Sequence, residues 1–369
     1  MDRVRTAPMH GGDAAAIARR YGLDPDEMLD FSANINPAGP PPEVLAALAD
    51  IAAHPRALES YPDPLGEPLR SAIAARLGLP AASIAIGNGA SALIDVALRA
   101  CEGDACIVPY PAFSEYRRAL DAAGMRTVGV PLDSDFRLDR ARLESVLRSE
   151  GARLLILSNP HNPSGALASR ETMLATIALA HACGTQTIVD EAFIDYAPES
   201  SVIDAVLHAA RPVIVRSLTK FYGMPGVRVG YLAAHPQVAR AIQLALPSWP
   251  IGQAEMRVAI AALGAEAYAH EALRTNRIER AWLREELVRV GVAVYPSAAN
   301  FLLCELPCAH DRLSDIGARL AREHRIVVRD ARSYQGLEHR PLIRVAVRTR
   351  EDNQRLIRAL GCALAREDA

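Results

Sequence analysis

The chain has 369 residues, of which 50% are apolar and 23% are charged, and its formal net charge at pH 7 is −2. This composition is typical of a folded globular protein and excludes a collagen-like or disordered chain. The near-neutral charge gives no electrostatic reason to expect binding to nucleic acid or to an anionic membrane. No stretch approaches the ~20 uncharged apolar residues of a membrane-spanning helix, and the N-terminus has no apolar signal core, so we expect a cytoplasmic protein.

Six cysteines are ordinary usage for a chain of this length. The pairs Cys101/Cys106 and Cys304/Cys308 have no further Cys or His ligands at zinc-type spacing. We therefore expect no metal site and no disulfide framework.

Glycine and proline clusters mark two irregular segments near the start of the chain, at residues 34–42 and 61–68. From about Ser83 onward, short apolar runs alternate with helical patterns. The predicted strands are SIAIGNG, ACIVPY, RLLILSNP, TQTIVDEAF, PVIVRSLTK and RVGYLAA, and the predicted helices between them are SALIDVALRACE, PAFSEYRRALDAAG and SRETMLATIALAHACG. This alternation predicts an α/β fold with a mainly parallel sheet and helices on both faces.

The pattern changes after Ala234. Residues 253–290 show long helical periodicity, and HDRLSDIGARLAREH, the strands RIVVRD and PLIRVAVR, and a last helix REDNQRLIRALGCALAR follow. This order predicts a smaller α+β domain. The expected divisions are an N-terminal segment at 1–44 that packs with the small domain and the active site, a large domain at 45–245 and a small domain at 246–369.

One lysine, Lys220, stands among 40 arginines. A lysine can lose its proton and attack a carbonyl group, whereas arginine keeps its charge and is a poor nucleophile. The count alone leaves open whether Lys220 is a catalytic amine or the survivor of an arginine-biased composition. Ligands of open α/β sheets bind beyond the carboxyl ends of the strands, and Lys220 follows a predicted strand. The other polar residues at such positions are Asp190, Asn159, Asn162, Ser217, Thr219 and Ser91.

The turn GNGAS at residues 87–91 opens a predicted helix. Glycine lets the backbone approach a ligand, and free N–H groups at a helix N-terminus bind anions, although the turn alone is more typical of an ordinary capped helix. Together with the hydroxyls of Ser217 and Thr219 and the cation Arg228, it becomes a candidate phosphate site. A lysine and an acidic strand-end residue beside a phosphate site favour pyridoxal 5'-phosphate, which needs an amine for its aldehyde and a carboxylate for its ring nitrogen.

Four segments, SNPHNPSG, VDEAF, SLTKFYGMPGVRVGY and PLIRVAVR, occur in the order found in the class I/II aminotransferase superfamily. The chain resembles these fold-type I pyridoxal-phosphate enzymes over essentially its whole length. The resemblance implies a large domain with a mainly parallel sheet flanked by helices, and a smaller α+β domain at the C-terminus. It also implies pyridoxal 5'-phosphate as cofactor and a homodimer with shared active sites.

Matching positions in the family imply roles for individual residues. Lys220 would bind the cofactor aldehyde covalently and later move protons, and Asp190 would pair with the ring nitrogen. Asn162 would contact the phenolic oxygen and the substrate, and Phe113 would stack on the ring. The residues matched to the cofactor phosphate are Ala90, Ser91, Ser217, Thr219, Arg228 and, from the neighbouring subunit, Tyr61. Arg344 would receive an anionic group of the substrate.

One position departs from the family pattern. Many members have a tyrosine three residues after the aspartate, and its hydroxyl donates to the phenolic oxygen of the cofactor. This chain has Phe193 there, which cannot donate that hydrogen bond. We therefore expect the pKa of the covalent link between Lys220 and the cofactor to be higher than in those members.

The N-terminus narrows the resemblance. HGGD at 10–13 and LDFSANINPAGPP at 29–41 resemble the threonine-phosphate decarboxylases of cobalamin biosynthesis, as do VVRDARSYQGL and PLIRVAVR near the end. Histidinol-phosphate aminotransferases share the core segments but in general lack the HGG start. Taken alone, HGG is also typical of a flexible turn.

Three functions stay open from the sequence. The first is decarboxylation of L-threonine O-3-phosphate to (R)-1-aminopropan-2-yl phosphate and CO2. The second is transamination of histidinol phosphate or a related amino acid with 2-oxoglutarate. The third is a non-catalytic regulator, which the chain length disfavours because such proteins usually append a DNA-binding domain.

Geometry separates the two reactions. On this cofactor the bond perpendicular to the pyridine ring breaks, because its electrons then enter the π system. An arginine that holds the substrate carboxylate in the ring plane favours transamination. If Arg344 and Arg329 instead hold a substrate phosphate with His10, Gly11 and Asn34, the carboxylate is free to turn out of the plane and leave as CO2.

Two further residues receive weaker interpretations. His161, inside SNPHNPSG, is expected to be a spacer between two functional asparagines. Trp249 falls where the two domains should meet, and we expect it either at the mouth of the substrate site or packed between the domains.

Overall fold

The computed structural model describes residues 11–101 and 103–365, apart from the side chain of Ala57. Its helices are α1 Ala14–Tyr21, α2 Pro42–Ala53, α3 Glu67–Leu77, α4 Ala90–Ala100, α5 Ser114–Ala122, α6 Arg140–Glu150, α7 Arg170–Ala182, α8 Pro236–Ala245, α9 Gln253–Gly264, α10 Glu266–Arg289, α11 Leu313–His324 and α12 Arg350–Ala365. Its strands are β1 Leu29–Asp30, β2 Ile84–Gly87, β3 Ala105–Tyr110, β4 Arg126–Pro131, β5 Leu154–Ser158, β6 Gln186–Asp190, β7 Val213–Ser217, β8 Gly230–Ala233, β9 Ala293–Val294, β10 Phe301–Glu305, β11 Ile326–Val327, β12 Arg329–Asp330 and β13 Leu342–Ala346.

A seven-stranded sheet in the order β2-β8-β7-β6-β5-β3-β4 occupies the middle of the chain. Strand β8 runs antiparallel to both β2 and β7, and the other neighbouring strands are parallel. Every residue of β2, β7 and β8 is buried. Burial on both faces explains why these strands read as continuous apolar runs and not as alternating patterns.

Helices cover both faces of this sheet. Helices α4, α5 and α8 pack on one face through a core that includes Leu93, Leu120 and Ile242. Helices α3, α6, α7 and α9 pack on the other face, where Leu69 and Leu143 are buried. This arrangement is the α/β fold with a mainly parallel sheet that the sequence predicts.

All six strands predicted before Ala234 form in this sheet. Strand β4 escapes the sequence pattern because it lies at the edge and mixes exposed with buried residues. The helical stretch at 253–290 divides at Ala265 into α9 and α10. The run RIVVRD also divides, because β11 and β12 pair in different sheets.

A four-stranded antiparallel sheet, in the order β12-β13-β10-β9, forms in the last third of the chain. Helices α10, α11 and α12 pack on it through a core that includes Leu283, Leu320 and Leu356. Strand β1 pairs in parallel with β11, which attaches the N-terminal segment to this part of the chain. The boundaries at 1–44, 45–245 and 246–369 stay a prediction.

The segment between β1 and α2 runs from the smaller sheet to the loop that carries Lys220. The N–H of Asn36 donates to the Lys220 carbonyl at 3.0 Å, and the side-chain amide of Asn36 donates to the Phe221 carbonyl at 2.9 Å. Gly223, with φ 60°, permits this approach, because a Cβ there would lie 2.5 Å from the Gly39 carbonyl oxygen. The N-terminal segment is therefore bonded to both sheet regions.

The described residues contain no membrane-spanning helix, no disulfide and no candidate metal site. Within residues 11–101 and 103–365, no helix combines the length and the hydropathy needed to cross a membrane. All six cysteines lie within the described residues, and none of them forms a disulfide bond. In the same ranges, no group of three or more His, Cys, Asp or Glu side chains is arranged to hold a metal ion.

Candidate active site

Lys220 lies just beyond the carboxyl end of β7, half-buried at the edge of the large sheet. Its Nζ is 5.3 Å from the centroid of the Phe193 ring and donates to Oγ of Ser217 at 3.4 Å. Burial, followed by the cations Arg228 and Arg344, lowers the pKa of Lys220 to about 8. The amine is therefore much closer to its neutral, nucleophilic form at physiological pH than an ordinary lysine.

Asp190 ends β6, the strand next to β7, and is buried. Its Oδ1 accepts the N–H of Ala192 at 2.9 Å, and its Oδ2 accepts the hydroxyl of Tyr116 at 2.6 Å. Burial raises the pKa of Asp190, while the Tyr116 hydrogen bond and the charge of Lys220 lower it. The parallel pairing of β6 and β7 thus brings an acid and an amine to one edge of the sheet.

The turn before α4 forms a cradle beside these two residues. Gly89 has φ 82°, and a Cβ there would lie 2.6 Å from Nη2 of Arg228, so this guanidinium lies directly over the turn. Gly230 lets the turn rest on β8, because its Cβ would meet the N of Ala90 at 2.7 Å. The first N–H groups of α4 and the Arg228 cation together make a site for a doubly charged phosphate.

The side chains of Ser217, Thr219 and Ser91 add hydroxyl groups to this cradle. Oγ of Ser217 and Oγ1 of Thr219 lie 2.8 Å apart, at the end of β7. Ser91 lies in the first turn of α4, half-buried. All five residues matched to the phosphate from the same chain therefore converge: Ala90, Ser91, Ser217, Thr219 and Arg228.

Arg344 crosses from the smaller sheet toward the same crevice. Its Nη1 donates to Oδ1 of Asn162 at 2.6 Å and to the hydroxyl of Tyr334 at 3.1 Å. Its Nη2 donates to the carbonyl of Ser32 at 3.1 Å. Burial, followed by the nearby Arg329 cation, lowers the pKa of Arg344. Asn162 and Arg344, distant in sequence, are thus in direct contact.

Arg329 lies beside Arg344 and is only 4% exposed. Its Nη2 donates to Oγ of Ser333 at 2.9 Å. Among the described residues, Nε of Arg329, Nε of Arg344 and Oδ1 of Asn34 are buried without a hydrogen-bond partner. Buried donors without partners are costly, and an anionic ligand removes that cost for the two guanidinium groups.

Gly11 and Gly12, the two glycines of the HGG motif, contact Ser32 beside Arg344. The N–H of Gly12 donates to Oγ of Ser32 at 2.9 Å, and a Cβ on Gly11 would lie 2.0 Å from the Ser32 carbonyl oxygen. Only glycine fits against Ser32, whose carbonyl holds Arg344. His10 lies outside the described residues, so its expected contact with substrate stays a prediction.

Tyr61 is the predicted cofactor residue that does not join the cluster. Its side chain is 80% exposed and stacks on Trp249, with ring centroids 4.6 Å apart. Trp249 is 44% exposed, so the interpretation of this residue as packed between two domains is wrong. An exposed aromatic pair of this kind is the arrangement expected of a residue that serves a neighbouring subunit, which stays a prediction.

The interpretation of His161 as a spacer is also wrong. Its Nε2 contacts the Pro111 carbonyl at 2.8 Å and its Nδ1 contacts Oγ of Ser164 at 2.7 Å. Because a carbonyl can only accept, Nε2 carries the proton and Nδ1 accepts. Burial lowers the pKa of His161 to about 4, so the ring stays neutral and ties the loop before Phe113 to the Asn162 loop.

Sequence reasoning missed Tyr116, Ser32 and Tyr334. Tyr116 follows Phe113 by three residues, about one helical turn, and this spacing is the only signal for it in the sequence. Ser32 contacts Arg344 through its backbone carbonyl, and every residue type has such a carbonyl, so the sequence gives no signal for this contact. Tyr334 lies in the segment VVRDARSYQGL, where no sequence feature indicates its contact with Arg344.

The residues present fit pyridoxal 5'-phosphate. An amine of lowered pKa, a buried carboxylate and a glycine-lined phosphate cradle meet in one crevice. Phe113 adds an aromatic ring, which contacts Tyr116 edge-to-face at a centroid distance of 5.6 Å. The chemistry of this donor set matches the aldehyde, the ring nitrogen and the phosphate of that cofactor.

Comparison with known proteins agrees with a pyridoxal 5'-phosphate site. A family model described as aminotransferase class I and II matches residues 26–360. The chain is 35% identical over 366 residues to threonine-phosphate decarboxylase of Salmonella typhimurium, with 95% of each chain covered. It is 33% identical over 360 residues to histidinol-phosphate aminotransferase of Roseiflexus castenholzii, covering 93% of this chain and 92% of the relative.

The fold likeness is equally extensive. A solved structure of histidinol-phosphate aminotransferase from Sinorhizobium meliloti in complex with pyridoxal-5'-phosphate has a TM-score of 0.87 and 26% sequence identity. The match covers 100% of this chain and 99% of that chain. This protein therefore belongs to the class I and II aminotransferase family, has the fold-type I architecture and uses pyridoxal 5'-phosphate as its cofactor.

Proposed function

We propose that the protein decarboxylates L-threonine O-3-phosphate to (R)-1-aminopropan-2-yl phosphate and CO2, as a step of cobalamin biosynthesis in the cytoplasm. One observation carries the proposal: Arg329 and Arg344 are buried side by side, each with an Nε that has no partner among the described residues. Two adjacent guanidinium groups suit a doubly charged phosphate better than a singly charged carboxylate. The contact of the glycines at 11–12 with Ser32 supports it, because Ser32 holds Arg344.

The cofactor, when bound, supplies an aldehyde that combines with the substrate amine and a ring that withdraws electrons from the substrate's α-carbon. Lys220 would present the amine that holds the aldehyde, and Asp190 would keep the proton on the ring nitrogen. Phe113 would lie against the ring. The phosphate cradle would hold the cofactor phosphate close to Lys220.

The two arginines bind and orient the substrate. With the phosphate held by Arg329 and Arg344, the described site offers the substrate carboxylate no third arginine, since Arg228 belongs to the cofactor cradle. Phe193 and Phe301 lie between Lys220 and Arg344, with their rings edge-to-face at 5.0 Å. A carboxylate against this apolar wall loses hydration, which favours departure of CO2.

Lys220 then supplies the proton. Loss of CO2 leaves an electron pair at the α-carbon that must accept a proton for the product amine to form. With a pKa of about 8, Lys220 carries a proton for much of the time at neutral pH and also releases it readily. Lys220 is therefore the proposed acid of the reaction.

A second candidate is transamination of histidinol phosphate or a related amino acid with 2-oxoglutarate. The contact between Arg344 and Asn162 favours it, because an arginine held beside the residue expected at the phenolic oxygen can keep a carboxylate in the ring plane. The relatives of similar identity include enzymes named for both reactions.

The test is a head-to-head assay on purified protein loaded with pyridoxal 5'-phosphate. One reaction contains O-phospho-L-threonine without a keto acid, and CO2 release is followed. The other contains histidinol phosphate and 2-oxoglutarate, and glutamate is followed. Release of CO2 without a keto acid is the expected result. Glutamate without CO2 overturns the decarboxylase in favour of the transaminase.

We also propose that the protein acts as a homodimer with shared sites, in which Tyr61 reaches the partner's cofactor phosphate. The exposed Tyr61–Trp249 stack supports this proposal. Sedimentation of the purified protein tests the dimer. Replacement of Tyr61 by Phe is expected to weaken cofactor binding without changing the oligomeric state, because only the hydroxyl is removed.

A further inference from the structure

We propose that Tyr116 is a positioning residue of the cofactor site: its hydroxyl fixes the Asp190 carboxylate and its ring supports Phe113. These are the residues expected to meet the ring nitrogen and the ring face of the cofactor. The inference rests on the cofactor and not on the choice between decarboxylation and transamination. It is therefore tested by cofactor binding, without an assay of either reaction.

The hydroxyl contact is short and sealed from water. Tyr116 is 2% exposed, and its hydroxyl donates to Oδ2 of Asp190 at 2.6 Å. The other oxygen of the carboxylate accepts the N–H of Ala192 at 2.9 Å. With α5 holding one oxygen and the turn after β6 holding the other, the carboxylate cannot rotate about its terminal bond without breaking a buried hydrogen bond.

The same contact sets the charge of the acid. Burial works against the ionised form of Asp190, and the Tyr116 hydroxyl is the first of the groups that oppose this effect. Ser158 is the register partner of Asp190 on β5 and also lies beside Tyr116. Its hydrogen bond favours the ionised form of Tyr116. Removing the hydroxyl therefore raises the pKa of Asp190 and leaves the ring nitrogen with a weaker anionic partner.

The ring contact reaches the opposite side of the site. Phe113 immediately precedes α5, and Tyr116 lies in the first turn of that helix. Their rings meet edge-to-face, with centroids 5.6 Å apart and an interplanar angle of 88°. One side chain thus links the residue expected on the cofactor's face with the residue expected at its nitrogen.

Two substitutions separate these contacts. Tyr116→Phe removes the hydroxyl and keeps the ring, whereas Tyr116→Leu removes both. The matched control is Tyr295→Phe, because the Tyr295 hydroxyl also donates to a carboxylate, Oε2 of Glu305 at 3.0 Å, but in the smaller sheet. Cofactor-free proteins are titrated with pyridoxal 5'-phosphate, and the visible band and circular dichroism of the bound cofactor are recorded against pH.

Tyr116→Phe is expected to raise the dissociation constant of the cofactor about ten-fold or more and to shift the pH profile of the visible band. Tyr295→Phe is expected to change neither. Tyr116→Leu should in addition reduce the circular dichroism of the bound cofactor, because Phe113 loses its support. Wild-type affinity and pH profile in Tyr116→Phe overturn the proposal.

A double substitution guards against a merely structural loss. In an Asp190→Asn background, Tyr116→Phe is expected to cause little further weakening of cofactor binding, because the hydroxyl acts through that carboxylate. An equal additional loss in that background shows that the hydroxyl acts elsewhere and overturns the proposal. Thermal unfolding of the cofactor-free variants confirms that each one is folded before titration.

Discussion

Arg329 and Arg344 are register partners across β12 and β13, and both guanidinium groups are buried. Among the described residues, no carboxylate lies within 4.0 Å of either group. Burial, followed by repulsion from the neighbouring Arg329 cation, lowers the pKa of Arg344. The pair is therefore a site whose energy falls when a dianion binds.

Replacement of Arg329 by Ala is expected to weaken the substrate far more than the cofactor. Loss of a charge-assisted hydrogen bond of about 2 kcal/mol corresponds to a rise of about 30-fold in KM for a phosphorylated amino acid. Steady-state kinetics and cofactor titration measure the two effects. Arg340→Ala is the control, because Arg340 pairs with Glu305 in the same sheet. Equal loss of substrate and cofactor affinity would count against the phosphate role.

The rate of cofactor capture by the cofactor-free protein is expected to rise with pH through about 8, the pKa of Lys220. Only the neutral amine attacks the aldehyde, and its fraction grows as pH passes the pKa. Stopped-flow absorbance between pH 6.5 and 9.5 measures this rate. Arg344→Gln removes one of the cations that lower this pKa, so its profile should move to higher pH. A profile rising only near the ordinary lysine value contradicts the burial argument.

Phe193→Tyr is expected to lower the pH midpoint of the visible band of the bound cofactor. Nζ of Lys220 lies 5.3 Å from the centroid of the Phe193 ring, so we expect a hydroxyl added to this ring to reach the phenolic oxygen of the cofactor. Stabilising that oxyanion lowers the pKa of the covalent link to Lys220. A spectrophotometric pH titration of the wild-type and Phe193→Tyr holoproteins measures this midpoint. A midpoint that is unchanged or higher in the variant contradicts the placement of residue 193 beside the phenolic oxygen.

His161→Asn is expected to reduce the dependence of stability on pH below 6.5. The folded pKa of His161 is about 4, below its ordinary value, so protons bind the unfolded chain preferentially as pH falls. Its contribution is present above pH 6.5 and declines toward pH 4, by about 2 kcal/mol at pH 5. Urea unfolding at pH 7 and pH 5 measures it. A difference between the two pH values as large in His161→Asn as in the wild type contradicts the burial argument.

The neighbouring positions of Lys220 and Asp190 at the edge of the sheet were predictable from the sequence pattern. Each comes just after an apolar run, and parallel strands place such positions at one edge of a sheet. The turn at 87–91 was predictable for the same reason. Strand β4 was not, because an edge strand with exposed residues lacks the continuous apolar pattern of its neighbours.

Tyr116 and His161 show what the sequence leaves undetermined. The Tyr116 contact depends on the direction in which α5 crosses the end of the sheet, and the His161 contacts depend on two loops meeting. Neither set of contacts produces a periodic pattern of residues in the sequence. For Trp249 the sequence left two placements open, the mouth of the substrate site or a packed position between the domains, and its exposure beside Tyr61 contradicts the second.

The pairing of β1 with β11 constrains the order in which parts of the chain can fold during synthesis, because β11 is made long after β1. The residues around the cofactor, from Gly89 to Gly230, leave the ribosome well before Arg329 and Arg344 are made. The N-terminal segment cannot make its contacts with β11 and Arg344 until those residues have been synthesised. The residues of the proposed cofactor cradle can therefore come together before those of the proposed substrate site have been synthesised.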